Sequence, residues 1–170
     1  MNSELPEDIQ HYLQESLIPV RLACTTETGW PMILSLWYLY EGKAIYCATQ
    51  ETARVVSYLR HNPRCAFEIA SDQMPYCGVR AQARAIILPE RGDEILKRLL
   101  YRYLGGTENP LGQKLLSRRE PEVAIEMRPI QLFSWNFQDR MQDLSLEDQR
   151  QRRPCPSRSG KLDLRKSKPA

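Results

Sequence analysis

The sequence predicts a mostly β fold, an antiparallel barrel with helices at its ends, and three observations lead there. Apolar, β-branched runs follow one another with glycine in the short turns between them. Several runs alternate apolar and polar residues, and no strand–helix–strand order of the parallel kind appears. With 170 residues the chain is long enough for one domain with its own core, and too short for two of ordinary size.

Leu5 to Leu17 places Leu5, Ile9, Tyr12, Leu13 and Leu17 at helical spacing, with Ser3 as a cap and Pro6 and Glu7 suited to a first turn. Ile18–Thr26, Trp30–Tyr40 and Ala44–Thr49 then read as strands, joined by turns at Glu27-Thr28-Gly29 and Glu41-Gly42-Lys43. Thr52 to His61 is helical, with Val55, Val56 and Leu59 on one side and Asn62-Pro63 ending it. Arg64–Ala70 is a strand. Tyr76–Leu88 is a longer one, in which Arg80, Gln82 and Arg84 alternate with Val79, Ala81, Ala83 and Ala85. An amphipathic helix follows over Pro89–Tyr103, its stripe made of Ile95, Leu96, Leu99, Leu100 and Tyr103, and Gly105-Gly106 stops it. Asn109–Ser117 adds a short helix. Glu122–Met127 and Ile130–Phe137 alternate as two last strands with Pro129 as the corner between them, giving about seven strand segments in all.

Charge divides the chain. Residues 150–170 hold eight basic residues and one acid, which leaves 16 basic and 20 acidic residues in the body. The net charge of +3 therefore belongs to the tail, and the body offers no basic footprint for nucleic acid. From Gln138 onward the pattern dissolves into a charged, Pro- and Ser-containing stretch that buries too little apolar surface to order itself. Residues 1–137 are thus expected to form the domain and 138–170 a disordered basic tail, which either solubilises the protein or makes a weak contact with an anionic partner.

Composition removes several function classes. No run approaches the roughly 20 apolar residues of a membrane helix, so no membrane insertion is expected. The acidic start is not that of a secretory signal, and a cytoplasmic protein is the simplest expectation. The five cysteines, at 24, 47, 65, 77 and 155, are odd in number and form no CxxC pair. They are expected to be reduced, buried small hydrophobes rather than a disulfide framework or a metal site. Neither His11 nor His61 sits in a suggestive setting, and GxSxG, GxxxxGK[ST] and GxGxxG are absent. Without acid–base machinery of its own, the chain points to a cofactor as the source of any reactivity.

A set of ordered motifs makes that more specific. The run Leu22-Ala23-Cys24-Thr25-Thr26-Glu27-Thr28-Gly29-Trp30-Pro31, the strand Met32–Tyr38, the strand Ile45-Tyr46-Cys47-Ala48-Thr49 and the helix Thr52–Pro63 come first. Val79–Ala85, Arg102-Tyr103-Leu104-Gly105 and Pro129–Trp135 follow. In this order and spacing, over about residues 5–137, they resemble the pyridoxamine 5'-phosphate oxidase-like FMN-binding split-barrel family. The resemblance implies a six-stranded antiparallel split barrel, a homodimer, and a flavin in each of two clefts at the dimer interface. By position, Leu34, Ser35, Leu36 and Trp37 would wall the ring. Ala48, Thr49, Thr52 and Arg54 would meet the phosphate end, where hydroxyl and guanidinium donors at a helix start suit an anion. Read from the residues alone, Thr49 merely ends a strand and Arg54 is a solvated charge.

Departures from the family pattern narrow the function. Val55 stands where many members carry lysine, Ala83 where they carry glycine, and Gly78 where the oxidases place a glutamine against flavin. The arginine and lysine of the oxidases' second strand fall at about Leu34 and Leu39, which argues against pyridoxamine phosphate as substrate. Arg60, Arg80 and Arg84 either compensate from nearby strands or are surface residues. The expectation is an FMN-dependent oxidoreductase-like protein acting on an unidentified small molecule. The alternatives are a non-catalytic module holding flavin or heme, and an F420-dependent reductase. No metal ligands or catalytic side chains are assigned. Few aromatic residues for a sealed core, Trp30, Trp37, Trp135 and three Phe, fit an apolar face buried against a twin.

Overall fold

The protein is described here from a computed structural model, over residues 5–141, 155–157 and 159–164. The proposed cap Ser3 lies outside them. Helix α1 covers Glu7–Glu15 and buries Ile9, Tyr12 and Leu13. Strands β1 (Val20–Thr25) and β2 (Pro31–Leu36) form a hairpin, with Val20 opposite Leu36 and Thr25 opposite Pro31. The run read as one strand to Tyr40 is broken at Trp37-Tyr38, and β3 (Leu39–Glu41) turns away to pair with β4 (Ala44–Gln50). The connection Gly42-Lys43 has positive φ at both residues, the backbone a two-residue hairpin with the right twist requires.

Helix α2 (Arg54–His61), strand β5 (Arg64–Ala70) and strand β6 (Cys77–Leu88) follow. After a single 3₁₀ turn at Pro89–Arg91 come α3 (Gly92–Leu104) and α4 (Pro110–Leu116). The last two predicted strands are one continuous strand, β7 (Glu122–Asn136). Pro129 sits at a register shift, where Gln82 faces Gln131 and Ala83 faces Pro129. A bulge lets the strand pass a residue that cannot donate to the ladder, so Pro129 bends β7 without ending it.

The sheet order is β2-β1-β5-β6-β7-β4-β3, and every pair is antiparallel. Its two edges, β2 and β3, are joined by only the two residues Trp37 and Tyr38. So short a link spans roughly 11 Å when extended, and the sheet must curl until its edges come together. Among the described residues the two edges do not pair. The result is an open barrel whose interior holds Val20, Leu22, Val56, Phe67, Val79, Ala81, Ile125 and Leu132.

Two expectations are corrected in the part of the tail that is described. Gly160–Asp163 forms β8, antiparallel to β7 from Gln131 to Ser134, and Leu162 and Leu164 pack against the core. Four residues carry too little periodicity to announce a strand, and their order comes from the β7 edge they dock on. Cys77 and Cys155 are joined in a disulfide, whereas Cys24, Cys47 and Cys65 remain thiols. An odd count does not exclude one pair, and sequence alone does not say which strand meets which. Burial pushes the Cys65 thiol up to about 12 and the Cys47 and Cys24 thiols upward as well, so these three stay protonated and behave as the small hydrophobes expected.

Candidate functional site

The seam between β2 and the β3–β4 pair, unpaired among the described residues, is the candidate slot, and its two ends are defined. At one end runs the Trp37-Tyr38 link. Tyr38 is fully buried, its hydroxyl donates to the carbonyls of Leu13 and Ser16 at 2.9 and 3.0 Å, and its amide donates to the Tyr103 hydroxyl. Burial raises the Tyr38 hydroxyl well above the ordinary tyrosine range, so it acts only as a neutral donor. Arg102 reinforces this corner by donating to the carbonyls of Leu13, Gln14 and Ser16, the free carbonyls at the end of α1. Trp37 stacks on Tyr103, ring centroids 4.9 Å apart and planes 7° from parallel.

At the other end lies α2. It follows β4 directly, with only Glu51, Thr52 and Ala53 between, and reaches the opposite edge, where Ser57 donates to Glu27 at 2.9 Å and Asn62 to Thr25 at 2.9 Å. α2 therefore bridges the seam. β2 runs away from α2 and β4 runs toward it, so Leu34–Trp37 stand toward the Trp37-Tyr38 end of the seam and Ala48–Thr49 toward the α2 end. Trp37 and Ala48 pack against one apolar cluster.

The residues singled out from sequence divide by exposure. Leu34 and Leu36 point into the barrel and pack on its core, while Ser35 points outward opposite Arg21. The part of β2 that a ring could use is its free edge, because among the described residues only β1 pairs with it. Thr49 pairs with Val123 in the ladder. The Thr52 hydroxyl donates to the Glu120 carboxylate at 2.7 Å, and Arg60 is held by Glu51. Arg54 is exposed and makes no hydrogen bond or ion pair among the described residues. One guanidinium is thus free, whereas Thr52 already serves a carboxylate that would repel a phosphate.

Solved structures of similar shape include an F420 reductase, at TM-score 0.62 and 20% identity over 75% of this chain and 98% of that one. The heme storage protein HutZ from Vibrio cholerae aligns at TM-score 0.59 and 15% identity over 76% and 94%. A putative pyridoxamine 5'-phosphate oxidase from Listeria innocua aligns at TM-score 0.56 and 17% identity over 76% and 96%. The fold is that of the pyridoxamine 5'-phosphate oxidase-like split barrel. No protein-family model and no curated protein matches the chain by sequence. At these identities the likeness carries the fold and nothing finer.

This split barrel also has a groove that the sequence reading missed. A depression of about 350 Å³ lies on the outer face of β2, β1, β5, β6 and β7, among Arg21, Ile33, Glu68, Arg80, Gln82 and Phe133. Arg80 lies over the rings of Phe133 and Trp135, each 5.7 Å away, and Arg21 reaches Glu68 at 3.6 Å. The signal was the polar alternation Arg80, Gln82, Arg84, which marked an outward face but not what stands beside it. The same face explains one departure: a Cβ at Gly78 would sit 2.6 Å from the Ile69 carbonyl oxygen and 2.8 Å from the Trp135 ring. A glutamine at that position would force the neighbouring backbone or the Trp135 ring to shift.

Proposed function

We propose that this chain is a flavin-binding, oxidoreductase-like split barrel that holds FMN in the slot beside β2 and works as a homodimer. The observation that carries this reading is the unpaired edge of β2, on a seam whose far end is α2, the helix that starts at the exposed and uncommitted Arg54. The edge offers alternating backbone donors and acceptors, the groups that the polar rim of a planar heterocycle needs, and Arg54 offers a bidentate cation to a phosphate. The named proteins of the same fold include an F420 reductase, a heme storage protein and a putative pyridoxamine 5'-phosphate oxidase, which supports a cofactor role for the slot.

When bound, a flavin supplies hydride exchange. The chain's own residues supply binding and exclusion of water. Leu34 and Leu36 form an apolar floor continuous with the core, Trp37 closes one end against Tyr103, and α2 closes the other. The exposed outer face, with Ile33 71% and Trp30 74% accessible, fits a second copy that would roof the slot. A location in the cytoplasm goes with this reading.

The absorption spectrum of the native purified protein tests the proposal, followed by titration with FMN. Bound flavin absorbing near the visible blue, and an affinity that Arg54→Ala lowers roughly tenfold or more, are the expected results. A colourless protein with no thermal shift in FMN would overturn it. The carboxylate of Glu120 on Thr52, together with Val55 in place of a second cation, favours a second reading, a cofactor-holding module of flavin or heme without turnover. Oxidation of NAD(P)H by the loaded protein separates the two, and F420 in the same titration tests the reductase alternative.

A further inference from the structure

The described C-terminal residues are attached to the barrel at several points and by one covalent bond. β8 pairs with β7 from Gln131 to Ser134, on the same edge of β7 that β4 occupies at Glu122–Met127. The Leu164 amide donates to the Ile130 carbonyl at 2.7 Å, the Asn136 side chain to the Pro156 carbonyl at 2.8 Å, and the Ser159 hydroxyl accepts from the Asn136 amide. Ser157 donates through its amide and its hydroxyl to the Asp8 carboxylate of α1, and these bonds hold that carboxylate below its usual range. The Cys77–Cys155 disulfide sits beside them, where Cys77 opens β6 opposite Asn136.

These attachments are unequal. The sheet order runs through β1–β7 without β8, which joins it only by pairing with β7 and by packing the partly buried Leu162 and Leu164 on the core, so the last strand is an addition to that sheet. Cys77 is fully buried, but Cys155 is only partly so and is the less protected end of the bond. β8 itself is four residues long, with only Leu162 half-buried among exposed neighbours. A strand this short, with one half-buried side chain, gains little from its ladder alone. The disulfide converts its docking into an intramolecular event at high effective concentration.

We propose that Cys77 and Cys155 form a reversible thiol latch that holds β8 on the edge of β7, and that reduction releases residues 155–157 and 159–164 and bares that edge. In closing, the two thiols give two protons and two electrons to a disulfide acceptor such as oxidised glutathione, which becomes two glutathione thiols; opening is the reverse exchange with a dithiol. Opening has two effects on the surface. It exposes the backbone groups of Gln131–Ser134 to strand addition, and it lifts the Lys161 ammonium, 5.3 Å from the Phe133 ring centre, off the rim of the outer groove. The latch does not rest on the flavin reading.

Thiol-trapping mass spectrometry of the full chain, equilibrated with oxidised or reduced glutathione, shows whether the Cys77–Cys155 peptide pair forms and opens. Amide hydrogen exchange of residues 131–134 in both states then shows what it holds. Protection in the oxidised protein, lost at least tenfold on reduction and recovered on reoxidation, is expected. Cys155→Ser should match the reduced protein and be indifferent to reductant, while Asp8→Ala should loosen residues 155–157 with the bond intact. Cys77 and Cys155 remaining thiols under oxidised glutathione, or unchanged protection of 131–134 after verified reduction, would overturn the proposal. A Cys155→Ser chain that loses exchange protection throughout β1–β7 would overturn it too, since the bond would then be a fold determinant and not a latch.

Discussion

On the β3–β4 side of the barrel the outer face is closed by α3; on the β1–β2 side it is bare. Under α3, Ile95 and Leu99 pack on Leu39, Ala44, Tyr46 and Ala124. The strands there are buried on both faces, so Glu122–Met127 shows six buried residues in a row although its sequence alternates. On the bare side β1, β5 and β6 keep their alternation. Arg21, Ala66, Arg80, Gln82 and Ile33 face outward, around a groove with no helix over it. A strand pattern therefore reports what covers the strand as much as the strand itself. The half that a helix covers is finished within one chain; the half left open carries the exposed Ile33 and Trp30 on which the proposed dimer would rest.

Breaking the covered half should do the most damage. Leu99→Ala removes a side chain only 2% exposed between α3 and the sheet, and a loss of about 2–5 kcal/mol is expected, read as a lowered midpoint in urea at constant slope. An equal loss from Ile33→Ala would erase the distinction between the halves, since Ile33 is mostly exposed in the single chain.

A smaller effect is expected from Gly78→Gln, which restores the oxidase-type residue. Backbone and the Trp135 ring both lie within 2.8 Å of the added Cβ. Overpacking should destabilise the protein by about 1–3 kcal/mol with no gain in FMN affinity. A tighter flavin complex in this variant would show that the family's contact is available here after all. Next comes assembly: Ile33→Asp should leave the monomer's stability within about 0.5 kcal/mol while shifting light scattering from dimer to monomer. A monomeric parent protein would overturn the proposed dimer, and a variant that stays dimeric would move its interface off Ile33.

How much of this was legible follows the same division. Alternation in β6 and the apolar stripe of α3 were visible because each has one wet face, and Leu96, Leu99 and Leu100 fell where expected. Pro129 read as a corner because a proline ends most ladders, and only the bulge opposite Gln82/Ala83 keeps β7 whole. β8 and the Cys77–Cys155 pair depend on which distant segments meet, and no local pattern encodes that. At the candidate slot, motif alone picks out Leu34–Trp37, whereas the free edge of β2 there is a property of sheet order. Glu120 on Thr52 lies 68 residues away in sequence and could not be anticipated.

The smallest effects are electrostatic, and they test the covered half from within. Glu94 on α3 accepts from Arg91 and Arg98, whose guanidinium groups hold its carboxyl down to about 2. Glu122, where β7 begins beneath α3, is shifted upward by burial despite Arg118 at 3.8 Å. The two signs oppose. A depressed carboxyl contributes stability above its unfolded value that is lost as pH falls toward about 2; a raised one contributes stability at low pH that is lost as pH rises through its folded value. Glu94→Gln should therefore be mildly destabilising near neutrality, by roughly 0–1 kcal/mol for so exposed a network, and should converge on the parent protein in acid. Glu122→Gln should do the reverse, matching the parent in acid and exceeding it at neutral pH. If urea midpoints across pH 3–8 show both variants moving in the same direction, Glu122 is not a buried carboxyl and the start of β7 is open to water.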